Sequence, residues 1–177
     1  MPARGEKGIA ALEFALIFPV LLVMVFAIID VGRLIQARLI ITNVSREGGS
    51  LAFRGAMPDA GLILMLQQSG QPLDLDGSGR IWISRIHAGT AANYNPVIFS
   101  QYPAGMLGVP SSINYSSTTL GLSLALYDYL KFQPGYSTSQ ITQVTVVEVY
   151  YQYKPITPLP RFISNILSKR IGSRAVF

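Results

Sequence analysis

The sequence predicts an α+β protein in which one long N-terminal helix packs on a small antiparallel-sheet domain. Three observations predict it. Residues 9–29 form an apolar run broken by a single carboxylate, Glu13. From Ala27 to Phe53 apolar or small residues recur near the 3.6-residue period, at Val31, Leu34, Ala37, Ile41, Val44, Gly48 and Ala52. Further on, Ile81–His87 and Ile141–Lys154 read as strands, the first by alternation and the second by its β-branched and aromatic content.

Composition bounds the rest. The chain has 177 residues. With about 30 residues spent on the apolar run and what precedes it, enough remains for one small domain. Hydrophobic residues make up 50%, a figure raised by the apolar run, and charged residues only 13%. Soluble proteins carry about 25% charged residues, so this surface is unusually poor in charge. The net charge of +5 comes from scattered Lys and Arg. No stretch combines dense basic residues with stacking aromatics, which argues against a nucleic-acid partner. The absence of cysteine excludes disulfides, thiolate-bound zinc and a thiol nucleophile.

Residues 1–8, which include Arg4, Glu6 and Lys7, are a short polar leader. Residues 9–29 are long enough to cross a bilayer, which takes roughly 20 apolar residues. The run is longer than a secretory signal core, and Asp30, Gly32 and Arg33 follow it instead of an Ala-x-Ala cleavage site. It therefore reads as a membrane segment. Charge does not fix its orientation: Arg4 and Lys7 precede it, while Arg33, Arg38 and Arg46 follow it. With residues 30–55 as its amphipathic continuation, the helix should reach about 45 residues, or roughly 65 Å. Pro19 should kink it, and Gly48-Gly49 should weaken it near its end.

The remaining elements belong to a domain over 56–177. Gly55–Asp59 reads as a connector and Leu62–Gln68 as a short helix capped by Asp59. A turn cluster over 71–80 leads into the Ile81 strand. Residues 88–118 are rich in Gly, Pro, Asn, Ser and Tyr. They read as a long loop with a strand at Val97–Tyr102, a surface that partner subunits would order. Thr118–Phe132 is expected to be a helix ended by Pro134-Gly135. After the Ile141–Lys154 strand come a proline turn over 155–160, a short helix at Ile163–Leu167 and a last strand at Arg170–Phe177. No internal repeat is visible.

Few residues carry the pattern of a reactive site. Asp74, Asp76 and Ser78, with Gly77 and Gly79 between and after them, resemble the first half of a calcium-binding EF-hand loop. Such a loop closes on a bidentate glutamate at its twelfth position, and Arg85 stands there. A turn into the following strand is the plainer reading, and calcium is the only cofactor the sequence brings into view. His87, the single histidine, reads as structural. Gly135-Tyr-Ser137-Thr-Ser139 lacks the second glycine of a nucleophile elbow.

Glu13 is the informative exception, because an ionisable group inside a membrane segment is costly. Gly8-Ile9-Ala-Ala-Leu-Glu13-Phe14 resembles the processing site of type IV prepilins. Asp30-Val-Gly-Arg33, Ser45-Arg46-Glu47-Gly48, and Val144–Tyr151 with Tyr153-Lys154-Pro155-Ile-Thr-Pro158 are similar to segments of the TadE-like minor pilins of the tight-adherence (Tad/Flp) pilus. The resemblance implies a prepilin peptidase cutting between Gly8 and Ile9. It implies that Glu13, beside Phe14, neutralises the new amino terminus of a neighbouring subunit. It also implies a non-enzymatic subunit of the inner membrane, with its C-terminal domain in the periplasm and at the cell surface after assembly. Its partners would be the membrane, the peptidase, other pilins and minor pilins, and the Tad assembly platform. The alternative is a single-pass anchored periplasmic binding module that is never cut.

Overall fold

The structure, a computed structural model, describes residues 4–55, 57–134, 142–158 and 160–177. Its elements are α1 (Arg4–Phe53), α2 (Asp59–Ser69), β1 (Gly79–His87), β2 (Val97–Ala104), α3 (Leu124–Leu130), β3 (Gln143–Gln152), α4 (Arg161–Leu167) and β4 (Arg170–Val176). They make the expected α+β arrangement of a long apolar N-terminal helix followed by a four-stranded antiparallel sheet of order β2-β1-β3-β4. The chain forms two compact units. One is Met1–Ala37 with Tyr153–Lys169, and the other is Arg38–Gln152 with Arg170–Phe177.

In the second unit the two central strands are locked in register. Ile81 pairs with Val149, Ile83 with Val147 and Ile86 with Val144. Side chains alternate across a strand, so this register sorts them onto two faces. Ile81, Ile83, Val147 and Val149 form one core with Ile41, Val44 and Ala52 of α1 and Leu62 and Leu66 of α2. Val144, Val146 and Ile86 form a second core with Ile113, Leu120, Leu122 and Leu130. Both faces are covered, which is why β3 reads as a nearly continuous apolar run and not as an alternating one.

Several elements depart from expectation. Helix α1 is 50 residues long and begins inside the polar leader, whose Glu and Lys are good helix formers. It continues on both sides of Pro19. Gly48 and Gly49 do not end it. They are buried where the helix meets its own unit: a Cβ on Gly48 would lie 2.7 Å from Leu66 Cδ1 and 3.3 Å from Val147 Cγ1, and one on Gly49 would strike the Phe177 ring. The helix ends instead at Gly55, whose φ of 62° is a left-handed conformation that a glycine adopts without a Cβ clash.

Asp59 does not cap α2. Pro58 holds that position without a side-chain bond, and Asp59 is engaged elsewhere. The helix expected over Thr118–Phe132 is confined to Leu124–Leu130, with Ser123 accepting from the Leu126 amide at 3.4 Å. Leu120 (φ 54°) and Gly121 (φ 79°) are left-handed and cannot continue a right-handed helix. Gly135, expected to help end that helix, Ser137 and Ser139, the nucleophile-elbow residues, and Ile141, expected to open β3, lie outside the described residues. The long 88–118 segment carries β2, as expected, but the rest is ordered from within its own unit. Trp82 Nε1 donates to Val109 O at 2.9 Å, Gln101 Nε2 to Ile113 O at 2.7 Å and Arg174 to Gly121 O at 2.8 Å.

Candidate functional site

The residues that the sequence singles out at the chain's start lie on α1, and the first unit shows their setting. Every residue from Gly8 to Leu21 is exposed, on all sides of the helix, and Ile9, Leu12, Phe14, Leu16, Val20, Met24 and Ile28 are among the exposed apolar side chains. Among the described residues this helix is the one long and apolar enough to cross a membrane. The most apolar window within Gly8–Phe53 has a mean hydropathy of 2.8, and only 6% of it is buried. A helix that is apolar all round belongs inside a protein core or a bilayer, and here no protein core encloses it. The N-terminal helix is thus a candidate membrane anchor.

Gly8 lies within the helix, and nothing stands within 4 Å of where a Cβ would be. Ile9 follows it on the open surface. Glu13 is exposed among apolar neighbours, one residue before Phe14, whose ring lies 5.4 Å from that of Phe18 one turn on. Within this chain, then, the Gly8–Phe14 segment is open on all sides.

At the other end of the run the chain closes on an acid. Asp30 is fully buried. Its carboxylate accepts from the Ile156 amide at 3.0 Å, from the Thr157 amide at 3.3 Å, from the Thr157 hydroxyl and from the Tyr153 hydroxyl at 3.3 Å. The Tyr153 hydroxyl also reaches the Asp30 carbonyl at 2.9 Å. Burial pushes the carboxyl pKa up, but the donors from Thr157, Ile156 and Tyr153 outweigh it and hold the group below its ordinary value. The two segments that looked alike to the same family, Asp30-Val-Gly-Arg33 and Tyr153–Pro158, therefore meet in one hydrogen-bonded cluster. Sequence reasoning did not pair them. The available signal was an acid directly after an apolar span, which needs donors from somewhere.

A second buried acid escaped the sequence reading. Glu148 on β3 is fully buried. It accepts from the hydroxyls of Ser111 and Ser112, from the Ser112 amide at 3.2 Å and from the Tyr150 hydroxyl at 3.0 Å. Burial and the adjacent Glu148 charge push the Tyr150 phenol up to about 12. The carboxylate is thus saturated by donors from a loop that it fastens to the sheet. Its sequence signal was a lone acid inside the apolar run Val144–Val149.

The remaining expectations are placed as follows. Asp74 accepts from the Gly77 amide at 2.8 Å, Asp76 accepts from Gln67 Nε2 at 3.0 Å, and the Ser78 amide donates to Asp74 O at 3.0 Å. Arg85 makes a two-pronged pair with Asp59, at 2.6 and 3.1 Å. Among the described residues no cluster of three or more His, Asp or Glu side chains gathers to hold a metal. The His87 ring stacks on Phe99 at 4.2 Å. An open groove of about 740 Å³ is lined by Gly55, Met57, Pro58, Asp59, Ala60, Arg85 and Tyr102, and its two charged residues are bonded to each other.

Fold and site together define a chain with one candidate membrane-anchoring helix ahead of a small α+β domain. Comparison with known families makes this specific: residues 8–50 match the family described as TadE-like protein. The match bears out the TadE-like resemblance and covers the N-terminal segments that carry it, but not Val144–Tyr151 or Tyr153–Pro158. That family is associated with the Tad pilus and is not a family of enzymes, which suggests that this chain is involved in that pilus. No curated protein and no solved structure matches the chain.

Proposed function

We propose that the chain is a minor pilin or pseudopilin that is incorporated into, or primes, a tight-adherence pilus, and so serves pilus biogenesis and adhesion. Residues 1–8 are a leader held at the cytoplasmic face, and residues 9–29 span the inner membrane. Residues 30–55 continue the helix, and the domain from residue 56 onward lies in the periplasm and reaches the surface on assembly. A prepilin peptidase cuts between Gly8 and Ile9. Other pilin subunits and the assembly platform then replace lipid around α1.

One observation carries this reading: the TadE-like match starts at Gly8 and runs along a helix whose first apolar stretch, residues 8–21, is exposed at every residue. Cutting after Gly8 leaves an ammonium group on Ile9 at the head of an apolar helix. Glu13 of a neighbouring subunit offsets the cost of burying that charge, and the ammonium offsets the cost of burying Glu13.

Intact-mass analysis of the chain from cells that contain the peptidase tests it. The expected N-terminus is Ile9, and Gly8→Arg should leave the chain full length. A wild-type chain that still begins at Met1 or Pro2 would sink the proposal.

A further inference from the structure

We propose that Tyr153–Lys169, the segment inserted between β3 and β4, is a membrane-interface element. It seats in the headgroup region of the leaflet where the span ends, its apolar side chains at the acyl boundary and its basic side chains on anionic lipid phosphates. The proposal rests on the reading of residues 9–29 as a membrane span.

The height of the segment follows from Asp30. Residues 9–29 rise roughly 31 Å as a helix, which matches a hydrocarbon core of about 30 Å. Asp30, the next residue, therefore stands at the boundary. The Ile156 amide at 3.0 Å, the Thr157 amide at 3.3 Å and the Tyr153 hydroxyl are all bonded to it. These bonds fix the start of the inserted segment at the same height.

The segment also extends along the span. Leu22, Val23, Phe26 and Ala27 are half-buried, whereas every residue from Gly8 to Leu21 is exposed. The half-buried residues lie at i−8, i−7, i−4 and i−3 from Asp30, on its face of the helix. Within this unit the chain able to shade them is Tyr153–Lys169. The inserted segment thus covers the last turns of the span.

Its composition suits that position. Ile156 is 66% exposed and Ile166 61% exposed, and Lys154, Arg161 and Lys169 are exposed. Residues 153–169 contain no Asp or Glu. Exposed apolar side chains and three exposed cations on one segment that has no acid of its own match an anionic lipid surface. The long Lys and Arg stems can lie along the acyl boundary while their charges stay among the phosphates.

The natural chain has no cysteine, so one introduced thiol gives one label. Nitroxides placed on Ile156→Cys, Ile166→Cys, Val20→Cys and Leu124→Cys are read by electron paramagnetic resonance. The full chain is reconstituted in phosphatidylcholine vesicles with and without phosphatidylglycerol. The expected result at Ile156 and Ile166 is a several-fold lower accessibility to an aqueous nickel chelate than at Leu124, with accessibility to oxygen retained. Lys154→Glu, Arg161→Glu and Lys169→Glu together should move both labels back towards water in the anionic vesicles. Labels at Ile156 and Ile166 as open to nickel as Leu124, while Val20 reports hydrocarbon, would overturn the interface proposal alone. Labels shielded from both nickel and oxygen would also overturn it, since that is the signature of protein contact. If Val20 itself is open to nickel, the span reading fails and the proposal falls with it.

Discussion

Asp30 holds a carboxylate in a place from which water is excluded, so its donors decide what it contributes. Its pKa lies below the ordinary value, which means that folding favours the anion. The stabilisation is complete above the ordinary carboxylate value of about 4 and is lost as pH falls through the lowered folded-state value. Hydrogen bonds to a charged group are worth ~1.5–3 kcal/mol net. Asp30→Ala should therefore speed amide hydrogen exchange at Ile156 and Thr157 by about tenfold to a hundredfold. In the wild-type chain the protection should fade below about pH 4, after correction for intrinsic exchange. Unchanged exchange at those amides would show that Asp30 does not hold the segment. Neither this acid nor Glu148 could be paired from the sequence. The Thr157 donor is 127 residues from Asp30, and the Ser111 donor is 37 residues from Glu148. Backbone amides and serines carry no sequence mark of which acid they will meet.

At the scale of elements, the strands were legible because β1 and β3 must fill two cores and can do so only with β-branched and apolar residues. The helices were legible in type and less so in extent. Leu120 sat at the right spacing for a helix, yet it is left-handed beside Gly121. Its side chain goes to the core beneath the loop, so tertiary packing overrode periodicity. Asp59 looked like a cap, but Arg85 lies 26 residues on and takes it in a bidentate pair. Gly48 shows the same competition with magnitudes attached. A larger residue would gain up to about 1 kcal/mol of helix propensity but force its side chain against Leu66 and Val147, which have no room to yield. Overpacking costs about 1–3 kcal/mol, so packing wins. Gly48→Leu should lower the thermal midpoint by several degrees, read by the fluorescence of Trp82 in the same unit. An unchanged or raised midpoint would refute this account.

For the whole molecule, the region most legible in sequence was also the one with the fewest contacts of its own. Gly8, Ile9, Glu13 and Phe14 stand out because the chain does not use them in its fold. Under the proposed function their constraints come from a membrane and from other chains, and such constraints are written in local order and spacing. On the proposed reading, Glu13→Ala should leave cutting after Gly8 intact, because the leader and the glycine are untouched. It should deplete the protein from sheared pili relative to the membrane fraction. Immunoblots of the two fractions, beside intact-mass analysis, separate the effects. A variant recovered in pili at the wild-type level would remove Glu13 from the assembly step.

The Asp30 cluster also bears on the order of synthesis. The helix leaves the ribosome first, and the residues that satisfy Asp30 are made more than a hundred residues later. Throughout that interval the carboxylate must stay hydrated, because a buried anion without donors costs several kcal/mol. The first unit is therefore completed only by a chain translated at least to Thr157. A product that ends before Thr157 lacks these donors and leaves that acid hydrated at the end of the helix.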